Sequence, residues 1–367
     1  MANRLRDSSP RSLLRRRSER YRRPRLPAAL FAIMIFAVLG VGAPDSATAA
    51  PTAGTYTNPI RDGADPWLAF HDGQYFLAST TAASVITVST SPSLATLGAA
   101  TPTVVYDAST QPTEYQDNIW APEIHRFGDR WYLYYTAQIE GDISTHRNFV
   151  AESQGDSPLG PYTYKGQLEG PDIFSIDGTV LTVDDQLYYI YAGIPTSGAQ
   201  KLYIAPMSDP WTLAAEPRIL SEPNYEWEKI GDGETQEGAY PIYRNGKIYV
   251  TYSAAQCGTP DYAIGLLTYT GGDPADRASW TKTPEPIFSK SPENGVYGPG
   301  HHSFFTSPDG TEDWIVYHAR DYANSSDCGE PRTIRAQKIN WTADDKPDLG
   351  IPAALGTALP LPAGDPG

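Results

Sequence analysis

Trp131-Tyr132-Leu133-Tyr134-Tyr135, set just behind the Gly128-Asp129 turn, decides the fold, because four other stretches repeat its design. They are Tyr75-Phe76-Leu77 behind Asp72-Gly73, Leu187-Tyr188-Tyr189-Ile190-Tyr191 behind Asp184-Asp185, Ile248-Tyr249-Val250-Thr251-Tyr252 behind Asn245-Gly246, and Trp314-Ile315-Val316-Tyr317-His318 behind Asp309-Gly310. Aromatic and β-branched runs behind such turns are strand signals. The turns recur every 56 to 64 residues, the length of one four-stranded sheet with its loops. A β-sandwich would not readily give five similar units, so the pattern predicts an all-β, five-bladed β-propeller. Its units cover 55–112, 113–168, 169–230, 231–292 and 293–357, with a short tail from about Leu359.

The first 49 residues stand apart. Ten arginines precede Pro27, an apolar run extends from Leu26 to Gly42, and Ala47-Thr48-Ala49 offers a small-x-small cleavage site. This reads as a cleaved signal peptide, which makes residues 50–367 one secreted, extracellular domain. A short membrane anchor is the competing reading, and Arg15-Arg16-Arg17 leaves a twin-arginine route open. Removing the leader's ten arginines and three acids leaves 18 basic and 40 acidic residues, a net charge of −22. Such a surface repels nucleic acid and anionic lipid, which points to a neutral or soluble partner. In an exported chain the two cysteines, Cys257 and Cys328, are expected to form a disulfide.

Seven or eight residues before most of the turns, a polar residue interrupts an otherwise apolar strand: Asp65, Asp177, Glu237 and His301. Each has an ordinary reading. Asp65 before Pro66 suits the start of any strand, Asp177-Gly178 suits a turn, and Asp232 and Glu234 beside Glu237 suit a solvated loop. The equal seven-residue offset of Asp65 from Asp72 and of Asp177 from Asp184 nonetheless places equivalent side chains at equivalent heights in the ring. The second unit has Ala121-Pro122 there, beside Trp120. Three carboxylates around one pocket suit glycoside hydrolysis. One is protonated to assist the leaving group and one is ionised to activate water. The two stand about 6.5–9.5 Å apart when the anomeric centre is inverted, and a third raises the acid's pKa. Trp67, Trp120 and Tyr240 are candidates to stack on the sugar, although Trp120 also suits a core position between blades.

Taken in order, Asn58-Pro59-Ile60 with Ala64-Asp65-Pro66, Trp120-Ala121-Pro122-Glu123, Ser175-Ile176-Asp177-Gly178, Gln236-Glu237-Gly238-Ala239 and Gly298-Pro299-Gly300-His301 resemble glycoside hydrolase family 43. The resemblance implies an inverting mechanism with Asp65 as base, Glu237 as acid and Asp177 as the residue that tunes the acid. It also implies a calcium ion near His301 in the central channel, held partly through water, with His302 beside it, and no organic cofactor. Arg332, in Arg332-Thr333-Ile334-Arg335, would approach the sugar. Within the family the pattern looks most like exported actinobacterial exo-1,5-α-L-arabinofuranosidases. The expected substrate is therefore an arabinose-containing plant cell-wall polysaccharide or oligosaccharide, met by a monomer. β-Xylosidase and endo-arabinanase activities share the same carboxylates. A non-catalytic sugar-binding propeller would tend to repeat its binding residues in each blade, whereas here the ring positions differ. A retaining enzyme of the invertase type would need a Trp-x-Asn-Asp-Pro-x-Gly context that Asp65 lacks.

Overall fold

The computed structural model describes residues 54–168, 170–195 and 198–367; the expected signal peptide lies outside the described residues. The described chain is a ring of five antiparallel sheets. Blade 1 contains Trp67–His71, Gln74–Ala78, Val85–Ser91 and Thr103–Asp107. Blade 2 contains Tyr115–Phe127, Arg130–Ile139, Asp142–Ser153 and Tyr162–Gln167. Blade 3 has Phe174–Val183, Gln186–Ile194, Lys201–Asp209 and Arg218–Ser221, with Thr212–Leu213 as a side pairing. Blade 4 has Gln236–Arg244, Lys247–Ala254, Ala263–Tyr269 and Trp280–Lys282. Blade 5 has Tyr297–Thr306, Asp313–Arg320 and Thr333–Lys338. The first strands of the blades touch in ring order, and Tyr297–Thr306 returns to Trp67–His71.

Each pair of neighbouring blades encloses its own apolar cluster, five in all. This explains the aromatic runs. Successive strand residues point to opposite faces, and both faces of a blade are covered. In blade 2, Trp131, Leu133 and Tyr135 face blade 1, while Tyr132 and Tyr134 face blade 3. A strand buried on both sides needs a continuous apolar run, not an alternating one.

The ring closes by exchange between the two ends of the chain. Arg61–Asp62, from before blade 1, forms the fourth strand of blade 5 by pairing with Ile334 and Thr333. Thr55–Thr57 pairs with Ala358–Pro360, and Leu361 is buried. The residues from about Leu359 are therefore not a tail: an apolar Leu359-Pro360-Leu361 segment has a sheet edge and a core cluster to join. Asn58 fastens the closure, its Nδ2 donating to Ala336 O at 2.9 Å and its Oδ1 accepting from Ala336 N at 3.0 Å, both in the interior. Asn58→Ala leaves the buried Ala336 N–H without its acceptor, while Ala336 O keeps the Tyr56 hydroxyl at 2.6 Å, and is expected to cost about 1–3 kcal/mol. A urea unfolding curve measures this, and a loss under about 0.5 kcal/mol would show that the clasp does not hold the ring.

Candidate active site

A two-residue bulge interrupts the first strand of blades 2 to 5. Pairing stops at Trp120, Ile176, Glu237 and Gly300 and resumes at Glu123, Thr179, Tyr240 and Ser303. In blade 1, pairing starts just past Asp65-Pro66, at Trp67. The first bulged residue of each blade has positive φ: Asp65 (55°), Ala121 (45°), Asp177 (57°), Gly238 (52°) and His301 (39°). Bulges of this kind re-aim side chains, and left-handed backbone on Asp, Ala or His is a conformation a plain strand would not adopt.

What secures these bulges is a repeated hydrogen bond from each bulged N–H to a side chain of the preceding blade. Ala121 N donates to Thr80 Oγ1 at 2.9 Å, Asp177 N to Thr136 Oγ1 at 3.3 Å, His301 N to Ser253 Oγ at 2.8 Å and Asp65 N to His318 Nδ1 at 3.2 Å. Blade 3 has Ala192 at the corresponding place, opposite Ile176. There the Asp177 carboxylate takes over, and Gly238 N donates to its Oδ2 at 3.1 Å. Gly238 is needed twice over: its φ is left-handed, and a Cβ would lie 3.1 Å from the His301 ring.

The bulge corrects the ring assignment in blade 4. Gly238, not Glu237, corresponds to Asp65, Asp177 and His301; Glu237 corresponds to Trp120. All of these except Gly238 line one cavity of about 360 Å³, together with Asn118, Ile176, Arg332 and the Cys257–Cys328 disulfide. Asp65, Asp177, Glu237, Trp120, Arg332 and His301 are thus brought together. Trp67 and Tyr240 are not. Both follow the bulge, which puts them past the turn of the strand. They border a separate cavity of about 290 Å³ with Leu68, His125 and Phe304, and Trp67 is packed in the core between blades 1 and 2.

Every oxygen of the blade 1 and blade 4 acids is anchored. Thr80 Oγ1 donates to Asp65 Oδ2 at 2.6 Å, and Arg332 donates to Oδ1 at 3.1 Å. The His301 ring sits between two carboxylates, with Nδ1 at 3.3 Å from Asp65 Oδ1 and 3.6 Å from Asp177 Oδ2. Tyr262 donates to Glu237 Oε1 at 2.8 Å, and Gln200 Nε2 to Oε2 at 2.7 Å. Trp120 lies against His146 with ring centroids 3.9 Å apart, and its Nε1 donates to Asn118 Oδ1 at 2.9 Å.

These surroundings drive the two axial aspartates apart in acidity. Burial would raise Asp65, but the Arg332 guanidinium and then the His301 imidazole outweigh it and hold the carboxyl well below the usual carboxylate range. Burial pushes Asp177 up to about 7, with the charges of Glu237 and Asp65 behind it and His301 pulling the other way. Burial opposes charging of His301, yet Asp177, Asp65 and Glu237 outweigh it and raise its pKa. Burial, reinforced by His301, pushes His302 down to about 3, and the ring sits 2.6 Å from Thr251 Oγ1. Of the two histidines, His301 faces the acids. His318 is likewise neutral, pushed down to about 3 by burial and Arg332. Its Nδ1 accepts the Asp65 N–H and so has no proton for the Asp65 Oδ1 at 3.3 Å.

Sequence reasoning passed over Thr80, Gln200, Tyr262 and His318. Thr80 and His318 had a readable signal, since each ends a second-strand run with a polar residue, as Thr136 and Ser253 do. Gln200 and Tyr262 lie in loops with no such mark. The donor chemistry around His301 also bears on the expected ion. Among the described residues no three His, Cys, Asp or Glu side chains gather as a metal cage. Calcium takes six to eight oxygen ligands, so these residues fit only an ion that keeps most of its own water.

The sequence matches the family model described as Glycosyl hydrolases family 43 over residues 56–347. An extracellular exo-α-(1→5)-L-arabinofuranosidase of Streptomyces avermitilis is 36% identical over 345 residues, covering 90% of this chain and 70% of that protein. One of the same description from Streptomyces chartreusis is 35% identical over 318 residues, covering 84% of this chain and 96% of that protein. The crystal structure of an α-L-arabinofuranosidase from Lactobacillus brevis superposes with a TM-score of 0.77 at 31% identity, over 82% of this chain and 98% of that one. The family model runs through all five blades and takes in every bulge that carries an acid, so the chain is a glycoside hydrolase and belongs to glycosyl hydrolase family 43.

Proposed function

We propose that the enzyme releases terminal L-arabinofuranose from α-1,5-linked arabinan or arabino-oligosaccharides, with inversion at the anomeric carbon. The observation that carries this reading is the convergence of Asp65, Asp177 and Glu237 on one cavity, in a chain whose similar relatives bear that activity in their names. In the proposed step Asp65, kept ionised by Arg332 and His301, takes a proton from a water molecule. The water oxygen bonds to the anomeric carbon as the glycosidic bond breaks. Glu237, oriented by Tyr262 and Gln200, gives its proton to the departing oxygen. Asp177 keeps a proton available in the corner it shares with Glu237 up to about pH 7.

Trp120, backed by His146, offers a flat apolar face to the sugar. A calcium ion in the channel would be held by water and by His301 in its neutral form, and would then supply the positive charge near the acids in place of the imidazolium. Metal analysis of the purified protein by mass spectrometry tests that assignment. The enzyme acts outside the cell as a monomer, freed of its leader after about Ala49: the leader reads as an export signal, and the Streptomyces relatives are named extracellular. N-terminal sequencing of secreted protein and light scattering check these two points.

Product analysis tests the substrate. Arabinose alone is expected from α-1,5-linked oligomers, with the β-anomer formed first by NMR. Xylose release alone, or an α-anomer formed first, would overturn the reading. The pH profile follows from the two aspartates. Asp65 stays ionised to low pH, because its pKa is depressed, and the acid limb lies low. The proton near Glu237 is lost as pH rises through about 7, because the Asp177 pKa is raised. A bell with its optimum on the acidic side of neutral is expected for kcat/KM. A rate that climbs steadily through pH 9 contradicts it.

A further inference from the structure

The Cys257–Cys328 disulfide is not only a staple of the fold. Both cysteines, with Gly329, line the same cavity as the acids. Cys257 follows the second strand of blade 4, in which Ser253 pairs with Glu237, so it lies on the acid's side of the pocket. Cys328 lies in the segment 321–332 that joins the second and third strands of blade 5 and ends in Arg332, the residue bonded to Asp65 on the opposite side. The segment therefore spans from the base to the acid. It contains no strand or helix of its own, and a 12-residue connection without regular structure is long for a compact domain.

Its position is fixed by ties to blade 4. Besides the disulfide, the buried Arg320 guanidinium donates to Cys257 O at 2.8 Å and to Asp327 O at 3.0 Å. Gln256 Nε2 lies 3.4 Å from Cys328 Sγ. Contact between the two segments is close: a Cβ on Gly258 would fall 2.6 Å from Asp327 N. At its far end Gly63 N donates to Arg332 O at 3.0 Å, anchoring the segment to the start of blade 1.

We propose that the Cys257–Cys328 disulfide is a specificity-determining element: it holds the 321–332 segment as a wall across one side of the pocket, so that the site admits a chain end and blocks a chain passing through. This rests on the chain-end reading above. A polymer threading the site in both directions would have to cross between Arg332 and Cys257, which residues 328–332 connect through the disulfide. With the wall fixed, the terminal sugar is enclosed between it and Trp120. With the wall loose, the sugar loses one side of its enclosure and the cavity opens toward a cleft.

The test compares wild type with the Cys257→Ser/Cys328→Ser double variant on α-1,5-arabinotriose and on linear arabinan. The double variant is expected to raise KM for the triose at least about tenfold while kcat falls less than about threefold, because the enclosure is altered and the acids are not. It is also expected to yield arabino-oligosaccharides from arabinan, where wild type yields arabinose. A general loss of fold would instead lower kcat and leave the product pattern alone. Unchanged KM with arabinose as sole product overturns the proposal. Should the double variant fail to fold, the folded wild-type enzyme is reduced with a phosphine, the two free thiols are verified by mass, and the same two readouts decide. Wild type that releases no arabinose from either substrate overturns the chain-end reading itself, and that result is distinguishable from a failure of the wall alone.

Discussion

Glu237→Gln is expected to lower kcat on arabino-oligosaccharides about 10²–10⁴-fold, the contribution of a positioned general acid. The variant suits the question because the site can accept it. The amide oxygen can turn toward Gln200 Nε2 and the amide nitrogen toward the Tyr262 hydroxyl, which keeps both hydrogen bonds that orient Glu237. What disappears is the transferable proton. The loss should therefore depend on the leaving group. A sugar alcohol departs poorly unless it is protonated, whereas a dinitrophenolate needs no proton. On a dinitrophenyl arabinofuranoside the same variant should lose no more than about tenfold. Steady-state kinetics on the two substrates measures the difference. Equal losses on both would mean that Glu237 positions substrate without protonating it, and undiminished turnover would remove it from the mechanism.

That Glu237 could be picked out at all shows how far the chain was legible. The five turns and aromatic runs are direct consequences of blades covered on both faces, and they specify the propeller. Asp65 and Asp177 sit seven residues before their turns because both occupy the first bulged position. A strict count of seven from Asn245 arrives at Gly238, not Glu237. Glu237 was found only because it is an acid near the right height, and the bulge that separates the two positions is a matter of hydrogen-bond pairing that residue identity does not reveal. The same bulge removed Trp67 and Tyr240 from the pocket, since these residues, past it, border a separate cavity. Ring closure was hidden for another reason: Arg61–Asp62 completes a blade whose other strands lie more than 230 residues away. Cys257 and Cys328 were expected as a pair, but nothing in their spacing places them beside the acids.

Asp65→Ala is expected to lower kcat by a similar factor, about 10²–10⁴-fold, but on every substrate alike. Water must be activated whatever alcohol departs, so here a better leaving group brings no relief, the opposite of the Glu237→Gln pattern. The substitution also leaves Arg332, whose guanidinium bonds Asp65 Oδ1, without its carboxylate, and His301, 3.3 Å from the same oxygen, with Asp177 alone. A site that has lost an anion between two cationic groups is suited to take another. Azide needs no deprotonation to act as a nucleophile, and it fits where the carboxylate and its water stood. Adding azide to Asp65→Ala with a dinitrophenyl α-L-arabinofuranoside should restore turnover at least about tenfold, and the product should be the β-arabinofuranosyl azide, because attack comes from the face opposite the leaving group. Arg332 is the internal control. If it helps to gather the anion, Arg332→Ala in the Asp65→Ala background should raise the azide concentration needed for half-maximal rescue. An α-configured azide would show that attack comes from the other face and that Asp65 does not face the incoming nucleophile. A full rate without azide would show that water needs no base in this pocket.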